Sequence, residues 1–156
     1  MVYKITLTIC LLITTIFQGI SQNLVELSVK EYSQKADYEK EHIHKLQIKN
    51  NGLTKASYQV NLTNVLCKKK NTVITEFDYS LYDENMNPIR NEITVDINEI
   101  KTFYLKITKP NNLNLGKWSC TQLEISEVSN PNAFRRATAL DKITLKSYIP
   151  NPSSDN

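Results

Sequence analysis

Apolar residues in this chain recur at every second position, and that period decides most of what the chain can become. Between Thr102 and Ile125, Phe103, Leu105 and Ile107 alternate with Tyr104, Lys106 and Thr108. A polar connection opened by Lys109-Pro110 and closed by Gly116 leads to a second run through Trp118, Cys120, Leu123 and Ile125. Successive side chains of a strand point to opposite faces, so a period of two marks a strand with one buried side, whereas a helix needs apolar residues three and four apart. The same period returns in Val25, Leu27 and Val29, in His44, Leu46 and Ile48, and in Tyr58, Val60 and Leu62. It returns again in Ile93, Val95 and Ile97, and Ile143, Leu145 and Tyr148 suggest a final strand. The longest run, Val73, Thr75, Phe77, Tyr79 and Leu81, predicts one strand that is central or long. Asn50-Asn51-Gly52 and the segment from Asp83 to Pro88 have turn composition. With three glycines in the whole chain, asparagine must take many of the left-handed turn positions.

The first 21 residues read differently. Lys4 gives a positive start, Ile5 to Phe17 an apolar run, and Gly19-Ile20-Ser21 a small-x-small site before Gln22. This is the pattern of a cleaved secretory signal, too short and too soon polar for a membrane span. Cys10 loosely resembles a lipid-attachment cysteine, but Ile9 is too large for the residue before it and the apolar run continues past it. The expected organisation is a signal peptide over 1–21, a single β-domain over 22–149 and a polar tail over 150–156, in a secreted, periplasmic or cell-envelope protein with no membrane span after cleavage.

Export bears on the cysteines. Cys67 and Cys120 remain after cleavage, and in an oxidising compartment such a pair without CxxC spacing is most simply one disulfide, with Cα atoms within about 7 Å. The alternative is a reactive thiol at Cys67, its pKa lowered by Lys68-Lys69-Lys70. Those three lysines form the one basic run, without interleaved aromatic residues, and a net charge of +3 with both signs interspersed supplies no field for nucleic acid.

His44 to Leu62 resembles the strand–Asn-x-Gly–strand pattern of bacterial immunoglobulin-like domains of the fibronectin type III and CARDB kind, and residues 103–120 are similar to the closing hairpin of such domains. The resemblance implies an all-β, immunoglobulin-like β-sandwich of about 7–9 strands. It departs from the immunoglobulin pattern in one respect, since Trp118 precedes Cys120 by two instead of lying well before the second cysteine. Tyr148 to Ser153 resembles the Pro-Asn-Pro opening of sorting domains in secreted Bacteroidetes proteins.

Candidate sites are few. His42 and His44 share a strand face and a geometry open to a metal, but the chain holds no further histidine to complete a ligand set. Asp83, Asn85 and Asn87 match the first oxygen positions of a calcium loop, with Pro88 where that loop needs glycine. No nucleophile elbow, phosphate loop or zinc-protease motif occurs, so no catalytic residue, metal or cofactor is assigned. Asn61-Leu62-Thr63 is a glycosylation sequon. Tyr32, Tyr38, Tyr82 and Tyr104 are the candidate ligand contacts, a set of exposed rings able to form a platform. Three functions follow: a non-catalytic module binding a protein or glycan, an accessory domain packing on a larger exported partner, or a small hydrolase with an unfamiliar site.

Overall fold

The computed structural model describes residues 24–68, 70–111, 116–128 and 139–151. The signal segment with Cys10, Lys69, the centre of the connection after Asn111, residues 129–138 and the end of the tail lie outside the described residues. The described residues form nine strands: β1 (Val25–Glu31), β2 (Glu41–Asn50), β3 (Ala56–Val65), β4 (Asp78–Tyr82), β5 (Pro88–Ile89), β6 (Glu92–Val95), β7 (Ile100–Thr108), β8 (Lys117–Glu127) and β9 (Ala139–Ile149). All pair antiparallel, in a five-stranded sheet ordered β1-β2-β7-β4-β5 and a four-stranded sheet ordered β6-β3-β8-β9. The fold is an all-β sandwich.

The buried sides of the two sheets meet in one core. Leu46, Ile48, Phe103, Leu105 and Ile107 come from the five-stranded sheet and Val60, Leu123, Ile125 and Leu145 from the other. Each of these is at most 1% exposed, which is what the alternation requires of a strand buried on one side. Facing residues in register carry the pattern across strands: Leu46 opposes Phe103, and Leu81 opposes Leu105.

Four expectations need correction. Residues 102–125 are not a hairpin, because β7 belongs to the five-stranded sheet and β8 to the other, so the connection crosses the sandwich. The long strand expected from Val73 is a strand only from Asp78. Its alternation is nevertheless real: Thr75 and Phe77 are buried while Ile74 is 55% exposed. Residues 72–77 form an extended crossover, in which Trp118 N–H donates to Asn71 O (3.1 Å) and Val73 N–H to Trp118 O (2.9 Å). The period reports which side of an extended chain is buried, and a crossover lying over a core has that period without a strand on each side. Ile97 sits in the β6–β7 turn, 51% exposed, and Tyr148 lies in the phase opposite to buried Leu145 and Ile149.

Asn50 fastens one end of the sandwich. Its side chain is 1% exposed, donates to Thr54 O (2.8 Å) and Val95 O (3.2 Å), and accepts from Gly52 N–H (2.9 Å). Its backbone N–H donates to Glu99 O and its carbonyl accepts from Asn98 N–H. One residue thus ties the β2–β3 connection to the β6–β7 turn. Asn71 and Asn98 adopt φ of 63° and 58°, the left-handed positions expected of asparagine in a glycine-poor chain.

Cys67 and Cys120 are bonded, with Cα atoms 5.2 Å apart. Val65 is in register with Cys120, so the bridge joins the end of β3 to its neighbour in the same sheet and does not cross the core. Disulfide formation leaves Cys67 without a free thiol.

Candidate functional site

Alternation sends the polar residues of the five-stranded sheet to its outer face. There Lys45 of β2 is in register with Tyr104 of β7, and Tyr104 with Tyr82 of β4. Glu31 of β1 pairs with Lys45 at the other end of this row, its carboxylate 3.9 Å from the ammonium. Lys45 Nζ lies 5.9 Å from the centre of the Tyr104 ring, within cation–π range. Two residues from this row in either direction on the same face, Lys106 reaches Glu41 (3.3 Å), and Gln47 Nε2 donates to Thr102 Oγ1 (3.4 Å). The hydrogen bond to Glu41 holds the Lys106 pKa above its usual range. Tyr82 and Tyr104, expected as exposed rings, are instead half-buried, because each packs beside its strand neighbours in the middle of a sheet face, flanked by lysines and hydrogen-bonding side chains.

Tyr32 and Tyr38 are elsewhere, on the β1–β2 connection, and are 62% and 71% exposed. The structure thus brings together two of the four expected tyrosines and separates the other two. That connection is held down by three buried polar side chains, His42, His44 and Lys109. His42 and His44 point inward in phase with Leu46 and Ile48, and are 7% and 5% exposed. His42 Nε2 faces Glu39 O (3.1 Å) and so carries the proton, leaving Nδ1 to accept from the Ser33 hydroxyl (3.2 Å). His44 Nδ1 accepts from Ser33 N–H (3.3 Å), and its ring meets Tyr32 edge-on at 6.1 Å. Lys109, 4% exposed, donates from Nζ to Asp37 O and from its backbone to Lys40 O.

Burial depresses both imidazoles, that of His44 to about 4 with His42 adding a smaller repulsion. For His42, Lys109 is the next cause after burial. Both rings are neutral at pH 7, and the nitrogens that a metal would need on His42 are already used by Ser33 and Glu39. A chamber of about 150 Å³ lies beside them, lined by Tyr32, Lys35, Asp37, Ser147 and Tyr148 among others. His44 Nε2 and the deeply buried Ser119 Oγ have no partner among the described residues. Their phase with Leu46 and Ile48 shows in the sequence that both rings point inward; that they anchor a tyrosine-bearing loop through Ser33 and Glu39 is set by the fold.

Asp83 is occupied by its own turn. Oδ1 accepts from the N–H groups of Asn85 (2.9 Å) and Asn87 (2.8 Å), and Oδ2 from Asn87 Nδ2 (3.0 Å). These hydrogen bonds hold its pKa down, the Asn87 side chain contributing most. N–H groups aimed at the carboxylate are the opposite of the oxygen cage a calcium ion needs. Among the described residues no group of three or more His, Cys, Asp or Glu side chains converges. No helix among them is long and apolar enough to cross a membrane.

These sheets and connections define an immunoglobulin-like β-sandwich module. No protein-family profile matches the chain. No curated protein matches it either. Among solved structures it is similar to a FixG-related protein from Vibrio parahaemolyticus, at 14% identity, covering 83% of this chain and 97% of that one with a TM-score of 0.49. It is also similar to a conjugate transposon protein from Bacteroides vulgatus, at 12% identity, 85% and 90% coverage and a TM-score of 0.42. The ASH/PapD-like domain of human CEP192 superposes at 12% identity, 81% and 82% coverage and a TM-score of 0.36.

Proposed function

We propose that the chain is an exported, non-catalytic module that binds a protein or glycan through the outer face of its five-stranded sheet. The observation that carries this reading is the Tyr82–Tyr104 pair, in register on adjacent strands and flanked by Lys45 and Lys106. Tyrosine offers a large rigid contact with a polar tip at low entropic cost, which is why it recurs at binding surfaces. The disulfide supports an oxidising compartment, and with it the reading of residues 1–21 as a cleaved leader. The finer family, fibronectin type III and CARDB-like of Bacteroidetes type, is part of this proposal and is supported by the strand–Asn-x-Gly–strand pattern. The test is a glycan array and an envelope-extract pull-down with the full chain and with a Tyr82→Ala/Tyr104→Ala variant. Capture lost in the variant is expected; capture by both proteins alike, or by neither, refutes the assignment to this face.

A second reading, an accessory domain packed on a larger exported partner, is favoured by the opposite end of the sandwich. Leu24, Leu53, Ile97 and Val128 are 59%, 91%, 51% and 42% exposed there, around the turns that Asn50 joins. Co-elution with a partner that is abolished by Leu53→Lys and Ile97→Lys would favour this reading over the first.

A further inference from the structure

We infer that the free edge of β3 from Asn61 to Val65 accepts an extended peptide segment of a partner protein, which adds as a strand beside β3 and sends alternate side chains between the two sheets. This does not rest on the sheet-face reading, and each stands if the other fails.

The edge is open because β6 is short. It pairs with β3 only over Ala56 to Gln59, and Val60 N–H then donates to Asn91 O (2.7 Å). Beyond that point no described strand lies on this side of β3. In an antiparallel ladder the N–H and C=O of one residue point to the same side and those of the next to the other. Val60 directs its N–H away from β8, so Leu62 and Asn64 direct theirs to the open side as well. These are the groups a visiting strand would pair with, the mode known as β-augmentation.

A groove of about 370 Å³ runs beside them, lined by Asn61, Leu62, Thr63, Tyr79, Leu81 and Asn91. Leu62 and Tyr79 pack on the core from opposite sheets and give the groove an apolar floor. The Tyr79 hydroxyl closes its upper end by donating to Asn64 Oδ1 and meeting Thr121 Oγ1 (2.9 Å). A strand laid along β3 would place one side chain in two over Leu62 and Tyr79, and the others beside Asn61 and Thr63. The fitting segment is therefore short and extended, apolar at alternate positions and without proline.

The contrast with the other edges sets this one apart. β1 carries Glu26, Lys30 and Glu31 and a register shift after Val29, and its Leu27 N–H is taken by Asp141 Oδ2 (2.8 Å). β5 is two residues long and begins with Pro88. β9 bears Lys142 and Lys146. Charges, bulges, proline and brevity are the devices that keep a sheet edge from pairing with another chain. Asn61 to Val65, reading Asn-Leu-Thr-Asn-Val, has none of them.

The probe is an acetylated, amidated octapeptide alternating valine with threonine and lysine, titrated into the ¹⁵N-labelled full chain. Expected are amide shifts confined to residues 60–65 and 78–81, and slowing of Leu62 and Asn64 amide exchange by about tenfold or more. The same peptide N-methylated along its backbone should leave the spectrum unchanged. Asn64→Pro, which removes one outward N–H, should abolish the shifts; the wild-type exchange measurement decides the matter even if that variant does not fold. Shifts centred on β9 or β1, equal binding of the N-methylated peptide, or no shift at millimolar peptide overturns the inference. Protection of Leu62 and Asn64 that rises with protein concentration in the absence of peptide also overturns it, by giving the edge to a second copy of this chain.

Discussion

Acid should weaken this protein through His44 before its carboxylates titrate. The folded imidazole has a pKa of about 4, against 6.5 when exposed, because it is buried beside His42. Between those values the unfolded chain binds a proton that the folded chain refuses. Stability therefore rises with pH across this window and is lost as pH falls, beginning near 6.5 and complete below about 4. At about 1.4 kcal/mol per pKa unit the full loss is about 3 kcal/mol. The geometry gives the reason: protonating Nδ1 would set two donors against each other at Ser33 N–H and charge a group already facing His42. Urea unfolding followed by Trp118 fluorescence, at half-unit steps from pH 7.5 to 4.0, measures this directly. His44→Gln can accept from Ser33 N–H without titrating, so the difference between wild type and variant isolates the histidine from the carboxylates. A difference that stays constant between pH 6.5 and 4.5, or one that grows in favour of the wild type at low pH, would refute the reasoning.

Other perturbations give equally definite outcomes. Asn50→Ala should cost about 2–4 kcal/mol in urea unfolding, since it leaves Val95 O and neighbouring backbone groups buried without partners. Reducing the Cys67–Cys120 bridge should lower stability by about 4 kcal/mol in the chain-entropy treatment of a loop with separation 53, read as a shift in urea midpoint with and without reductant. Met86 adopts φ 62° in the β4–β5 turn, so Met86→Gly should raise stability by up to about 1 kcal/mol, the relief of left-handed strain exceeding the entropy of glycine. Tyr79→Phe should cost about 1–3 kcal/mol by leaving Asn64 and Thr121 unpaired, measured in the same assay.

Strand positions and their buried faces were legible in the sequence because side-chain alternation is a local property. His44, Leu46 and Ile48, or Phe103, Leu105 and Ile107, show which side is buried without reference to any partner. Asparagine at left-handed turns and the cysteine pairing were legible for similar reasons, one from backbone sterics and one from the pair of cysteines left once residues 1–21 are read as a leader. Which strands pair is a long-range matter that alternation leaves open. Phe103 to Ile107 and Leu123 to Ile125 look like the arms of one hairpin, yet they lie in different sheets. Val73 to Leu81 looks like one strand, yet its first half is a crossover. The candidate surfaces depend on the same long-range choices. Tyr82 meets Tyr104 only because β4 docks on β7, and among the described residues β3 keeps an unpaired edge past Gln59 because β6 stops at four residues. Residues so far apart in the chain become neighbours through burial of the common core, a constraint that acts on the whole set of strands and leaves no mark within any one of them.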